Sequence, residues 1–189
     1  MDIFKIYLEL GFDHILDLAA YDHILFVMTL CVIYAASQWK EILILVTAFT
    51  IGHSLTLALS TLGVVKIPGQ IIEYLIPITI IITGLYNIYK VKADNHKIVL
   101  HYLLASFFGL IHGLGFSNYL KALLSAEDDM IVPLLAFNVG VECGQIIIVG
   151  ITILLSMLLV RFFRLKQKYW VWAVSSVAIL VSIKLLIDL

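Results

Sequence analysis

Acids and histidines sit where this chain is otherwise apolar. Five of its six histidines fall in hydrophobic stretches. The segment DHILDLAAYDHIL (13–25) brings His14, Asp17, Asp22 and His23. FTIGHSLTL (49–57) adds Thr50, His53, Ser54 and Thr56, and HYLLASFFGLIHGLGF (101–116) adds His101 and His112. FNVGVECGQ (137–145) adds Asn138, Glu142 and Gln145. In lipid, each charged group costs about 2.5–3.5 kcal/mol at mid-helix, so each needs a partner, a cavity or a task. Imidazole with carboxylate is the donor set of Zn, Ni, Co or Fe(II), whereas Ca and Mg prefer oxygen. The candidate ligands are His14, Asp22, His23, His53, His112 and Glu142, with Ser54, Asn138 and Gln145 as a supporting polar shell. For any one histidine the plain alternative is a satisfied interhelical hydrogen bond.

Helical spacing sorts these residues. Asn138, Glu142 and Gln145 stand at i, i+4 and i+7 and share one face. His101 and His112, eleven residues apart, lie about 20° from alignment; His101 is near a helix end, where solvation alone would account for it. His96 falls in the polar connection AspAsnHisLys and needs no special role. The repeated DHIL poses a conflict. Nine residues of continuous helix turn through about 900°, which would put His14 and His23 on opposite faces. They can share a site only if the chain bends or unwinds around Asp17–Tyr21, with Asp22 and His23 inside the bundle and Asp13 and His14 capping it. A straight helix through 12–30 would leave only Asp22 and His23 as a pair.

The elements that hold these groups must be membrane helices. The chain has 189 residues, 62% hydrophobic and 13% charged, with mean hydropathy +1.08, against roughly 25% charged in soluble domains. Six stretches approach the roughly 20 apolar residues of a span, at about 15–37, 41–63, 71–91, 98–120, 131–160 and 169–187. Residues 2–12 look like a short amphipathic interfacial lead-in. The expected fold is therefore all-α: one polytopic membrane bundle over 1–189, with about six transmembrane helices and a short N-terminal helix. The first fourteen residues lack signal-peptide features, so insertion is expected to begin with the first hydrophobic segment.

Lys90, Lys92 and Lys97 follow the third span and Arg161, Arg164, Lys166 and Lys168 the fifth; Glu127, Asp128 and Asp129 follow the fourth. The positive-inside rule then places the third and fifth connections in the cytoplasm and both termini outside. Trp39, Trp170 and Trp172 lie near the expected interfaces. Gly109, Gly113 and Gly115 have the small-residue spacing of closely packed helices, and Pro77 interrupts the third span. Cys31 and Cys143 read as core residues rather than a metal motif. A net charge of −1 gives no reason to expect nucleic acid as a partner.

Four motifs, GFDHILDLAAYDHILF, FTIGHSLTLALS, FGLIHGLGF and LLAFNVGVECGQ, resemble in order and spacing those of the HupE/UreJ family of bacterial membrane proteins, over about residues 11–150. The resemblance implies a multi-pass inner-membrane protein associated with nickel supply to hydrogenase and urease. It maps the family's metal-linked residues onto His14, Asp22, His23, His53, His112 and Glu142. Nickel-permease members carry a more compact His-Pro-x-x-Gly-x-Asp-His element; here seven residues separate His14 from Asp22.

Three functions are open at this stage. A permease for Ni²⁺ or a related divalent cation would string ligands along a path, and its small size makes a homo-oligomer reasonable. An intramembrane zinc hydrolase would close three or four ligands around one metal at about 2.0–2.2 Å and leave one position for water, with Glu142 or Asp22 as base and Ser54 hydrogen-bonding or attacking. A structural or heme-handling subunit would satisfy its histidines by interhelical bonds.

Overall fold

The structure is a computed structural model that describes residues 2–93, 98–124 and 130–189. His96 lies outside the described residues, as do Lys97, Glu127, Asp128 and Asp129. Among the described residues every regular element is helical: α1 (Ile3–Leu16), α2 (Asp22–Cys31), a 3-10 turn (Ala36–Gln38), α3 (Trp39–Thr61), α4 (Gly69–Ala93), α5 (Ile98–Leu124), α6 (Ile131–Ser156) and α7 (Gln167–Asp188). A π-helical stretch, Met157–Phe162, prolongs α6. Five helices are long and apolar enough to cross a membrane, and α2 is a shorter apolar helix.

The first crossing differs from its expected form. Residues 15–37 are not one helix: α1 ends at Leu16 and α2 begins at Asp22. The cause is local. Asp17 takes an extended backbone with ψ 115°, and its carboxylate accepts the Ala19 N–H at 2.8 Å. That competes with helix continuation as short acidic side chains do. α1 and α2 have 14 and 10 residues; at about 1.5 Å per residue neither crosses a hydrocarbon core of about 30 Å, but the two in series do. The count of about six crossings therefore holds, with the first built from two short helices. The helix expected to lie at the interface over 2–12 is instead the first half of this crossing: α1 runs from Ile3 to Leu16 and packs lengthwise on α6, burying Tyr7 and Ile15.

Glycine seams set the pairing. A Cβ at Gly140 would overlap the Leu8 carbonyl, and one at Gly144 the Ile15 side chain, so α1 and α6 run parallel and nearly touch. α3 and α5 do the same: a Cβ at Gly52 would overlap the Ser106 carbonyl, and those at Gly109 and Gly113 the carbonyls of Phe49 and His53. Farther along, Ser60 donates to Ser117 at 2.9 Å. Without a hydrophobic drive between helices in lipid, such close backbone approach supplies the van der Waals contact that holds them together. Gly115, expected in the same seam, instead faces Ile76 of α4. α4 pairs with α7 in the opposite sense, Gly84 lying against Ser175 and Ile179. α2 fills the middle, between α4, α6 and α7.

Two ends of the bundle follow from these directions. α3, α5 and α7 begin at the end that carries Arg161, Arg164, Lys166 and Lys168, where α2 also finishes: Gln167 donates to the Val32 carbonyl at 3.1 Å, and the Tyr34 hydroxyl pairs with His101 at 2.7 Å. α1, α4 and α6 begin at the other end. Trp39 and Trp170 stand in the first turns of α3 and α7, at the basic end.

Candidate metal centre

His14 occupies the last turn of α1 and His23 the first turn of α2, so the break between them turns the two DHIL segments toward one point. Their ring centroids are 4.6 Å apart. His53 comes from α3, directly beside the glycine seam with α5, its ring 6.1 Å from His14 and 6.2 Å from His23. One ligating atom from each of His14, His23 and His53 lies within 4.8 Å of the others. A tetrahedral ion bound at about 2.1 Å sets its nitrogens about 3.4 Å apart, so side-chain adjustments alone would close the three around an ion. His112 of α5 stands next in line, its ring 5.2 Å from His23.

Hydrogen bonds set which ring nitrogens face inward. Asp22 Oδ1 accepts the His23 backbone N–H at 2.8 Å and pairs with His23 Nδ1 at 3.0 Å. A carboxylate can only accept, so Nδ1 carries the proton and Nε2 keeps its lone pair, the carboxylate–histidine arrangement common behind metal ligands. Thr79 donates its one hydroxyl proton to the Ile76 carbonyl at 2.7 Å. It therefore accepts from His112 Nε2 at 2.9 Å, which leaves the lone pair on His112 Nδ1.

Among the described residues, His14 Nε2, His23 Nε2, both nitrogens of His53 and His112 Nδ1 are buried with no hydrogen-bond partner. Buried polar atoms are nearly always paired; since a neutral imidazole has one free lone pair, these four histidines offer four nitrogen donors, a set that suits a borderline transition metal. The surround is aromatic: Phe116 lies 4.0 Å from the His14 ring, and Phe26 and Phe49 lie 4.7 and 5.3 Å from that of His112. A cavity of about 550 Å³ reaches His14, lined by Leu10, Asp13, Asp17, Phe116 and Tyr119 among others. A smaller one, about 160 Å³, reaches Asp22 past Glu73, Ile76 and Pro77.

The remaining expected site residues lie elsewhere. Asn138, Glu142 and Gln145 do share a face, and it meets α3. Ser54 donates to Asn138 Oδ1 at 2.6 Å, Thr47 to Glu142 Oε1 at 2.6 Å, and Thr50 to Gln145 Oε1 at 2.8 Å. Glu142 is thus not among the grouped ligands, and the Ser54 proton is committed to an amide. His101 is buried rather than solvated, against Tyr34 and Tyr86. Cys31 is buried, but Cys143 is exposed on α6, so only the first is a core residue. Sequence reasoning missed Thr79, Glu73 and Phe116. Thr79 left a signal: Thr79, Thr83 and Asn87 follow at i, i+4 and i+8 on an otherwise apolar helix.

A family model described as HupE / UreJ protein matches residues 1–187. Comparison with curated proteins and with solved structures gave no match.

Proposed function

The chain belongs to the HupE/UreJ family, and from that premise we propose that it is a permease for a divalent transition-metal ion, nickel or one of similar ligand preference, in the bacterial inner membrane. The observation that carries this reading is the set of partnerless buried imidazole nitrogens at the foot of an acid-bearing cavity. Asp13 and Asp17 at the cavity wall draw a hydrated cation inward. His14 Nε2 is the first nitrogen to replace water, and His23 and His53 then complete a three-imidazole set. Asp22 acts behind His23, fixing its tautomer. His112, one ring farther, offers the next lone pair, so release from one set is acceptance by another. Several exchangeable sites of moderate affinity are what conduction requires.

Charge supports the direction. The cavity wall takes Phe116 and Tyr119 from the later part of α5, which runs away from the end carrying Arg161, Arg164, Lys166 and Lys168, the end the positive-inside rule puts in the cytoplasm. The N-terminus and the mouth are then outside, and the ion moves inward.

The close grouping of three histidines is also what a zinc hydrolase would need. In that reading a metal-bound water is the nucleophile and Glu142 or Asp22 the base; the hydrogen bonds of Glu142 Oε1 with Thr47 and of Asp22 Oδ1 with His23 favour the permease, because they hold both carboxylates in place against neighbouring side chains. The two are separated by elemental analysis of protein purified without added metal, together with Ni²⁺ binding and Ni²⁺ uptake into proteoliposomes. Wild type should bind Ni²⁺ reversibly and take it up, and His23→Ala and His112→Ala should lose uptake. One tightly held zinc per chain, absent from both variants, would favour the hydrolase; uptake unaltered in both would sink the site assignment.

A further inference from the structure

The basic end of the bundle carries a groove of about 380 Å³, away from the histidine cluster. On one side stand Ala35 and Ser37, in the turn that precedes α3. On the other stand Met157, Val160 and Arg161, where α6 passes into its π-helical stretch. Gln167, at the start of α7, ties the sides together: its Nε2 donates to the carbonyls of Val32 and Tyr34 at 3.1 and 3.4 Å. The Ala35 N–H in turn donates to Gln38 Oε1 at 3.0 Å.

The groove is amphiphilic along its length. α6 and its continuation run toward the basic end, so Met157, Val160 and Arg161 are met in that order on the way out of the membrane. The wall is apolar first and cationic last. Among the described residues Arg161 is the only charged group in the wall, and its guanidinium forms no ion pair. Phe162 and Phe163 follow it, 75% and 64% exposed, and then comes Arg164. Exposed rings between arginines suit the membrane interface, where apolar groups enter the acyl boundary and charged heads stay in the headgroup layer. The turn itself is held. The Phe163 and Leu165 N–H groups bond the Leu158 and Leu159 carbonyls at 3.1 and 3.0 Å. Between them Arg164 takes φ 55°, a left-handed conformation that helix ends usually give to glycine.

We propose that this groove seats one anionic phospholipid of the cytoplasmic leaflet, with an acyl chain along Met157 and Val160 and the phosphate at Arg161. A guanidinium presents paired donors that match phosphate oxygens, and basic pockets between membrane helices on the cytoplasmic side take anionic headgroups. The exposed Ser37 supplies a hydroxyl donor from the facing side. A free anion would gain nothing from the apolar wall, and a zwitterionic lipid lacks the net charge that Arg161 rewards. The leaflet follows from the positive-inside rule. Seated there, the lipid bridges the turn before α3 and the close of α6, and it does so whatever ion the histidines carry.

The test is native mass spectrometry of detergent-purified protein titrated with phosphatidylglycerol or with phosphatidylcholine of the same acyl chains. Wild type should hold one phosphatidylglycerol per chain about tenfold more tightly than phosphatidylcholine, the size of one hydrogen-bonded charge contact. Arg161→Gln should abolish that preference. Val160→Trp keeps every charge but fills the groove, and should lose about tenfold in phosphatidylglycerol affinity. Lys40→Gln removes a charge at the same end that is not in the wall, and should stay within about twofold. Equal losses in Lys40→Gln and Arg161→Gln mean diffuse attraction to the basic end and overturn the seat. So does wild type that holds phosphatidylglycerol no better than phosphatidylcholine. Val160→Trp binding as wild type puts the lipid outside the groove. Displacement by inorganic phosphate, but not by chloride at equal ionic strength, makes the occupant a free anion. Either result overturns the assignment.

Discussion

Asp22→Asn tests whether Asp22 serves the metal through His23 rather than as a ligand. Asparagine keeps the size of the side chain and an oxygen able to accept the His23 backbone N–H now bonded at 2.8 Å. It removes the charge that makes the 3.0 Å contact to Nδ1 a strong anchor for one tautomer. Loss of such an outer partner costs about 10–100-fold in metal affinity, equivalent to about 1.4–2.8 kcal/mol at 1.4 kcal/mol per decade. Removal of a ligand should cost more and lower the number of protein donors. The assay is Ni²⁺ titration of detergent-purified protein against a competing chelator, with X-ray absorption to count nitrogen donors. The expected result is a 10–100-fold rise in Kd at an unaltered nitrogen count. An affinity within twofold of wild type would refute the carboxylate–histidine argument, and loss of an oxygen donor from the metal's shell would make Asp22 a direct ligand.

Glu142→Gln should leave Ni²⁺ affinity within about twofold and lower thermal stability only slightly, because its partner is Thr47 and interhelical hydrogen bonds in membranes average about 0.6 kcal/mol; a tenfold loss of affinity would return Glu142 to the ligand set. Gly113→Leu should forbid the close approach of α5 to α3, since even a Cβ there overlaps the His53 carbonyl; overpacking of about 1–3 kcal/mol or more should appear as a fall in Tm and loss of Ni²⁺ binding, while the same change at Gly150, where a Cβ meets nothing, should be silent.

Face arguments carried far in this chain because helical period is strict. The conflict between His14 and His23 located the break at Asp17–Tyr21, and the i, i+4, i+7 spacing put Asn138, Glu142 and Gln145 on one side of α6. Period does not say which neighbour a face meets, so the partners of that stripe, Thr47, Thr50 and Ser54, were not legible. Hydropathy ran straight across the break, since Leu18, Ala19 and Ala20 are as apolar as a helix interior. Thr79 and Thr83 passed unnoticed because hydroxyls that bond their own helix backbone are ordinary in membrane spans. His101 looked solvated by its position near a helix end, and only the packing of Tyr34 and Tyr86 around it buries it.

The four histidines belong to parts of the molecule that are fastened separately. His14 travels with α1, clamped to α6 by Gly140 and Gly144; His53 and His112 travel with the α3–α5 seam; His23 travels with α2. The grouped imidazoles therefore lie where these three groupings meet, with the α1–α6 and α3–α5 pairs also joined by the hydrogen bonds of Ser54, Thr47 and Thr50 to α6. A small slide of one body against the next alters ligand spacing while every helix and both glycine seams stay intact. A change in the spacing of these rings would therefore call for interfacial adjustment alone and leave unbroken the seams that keep the bundle folded.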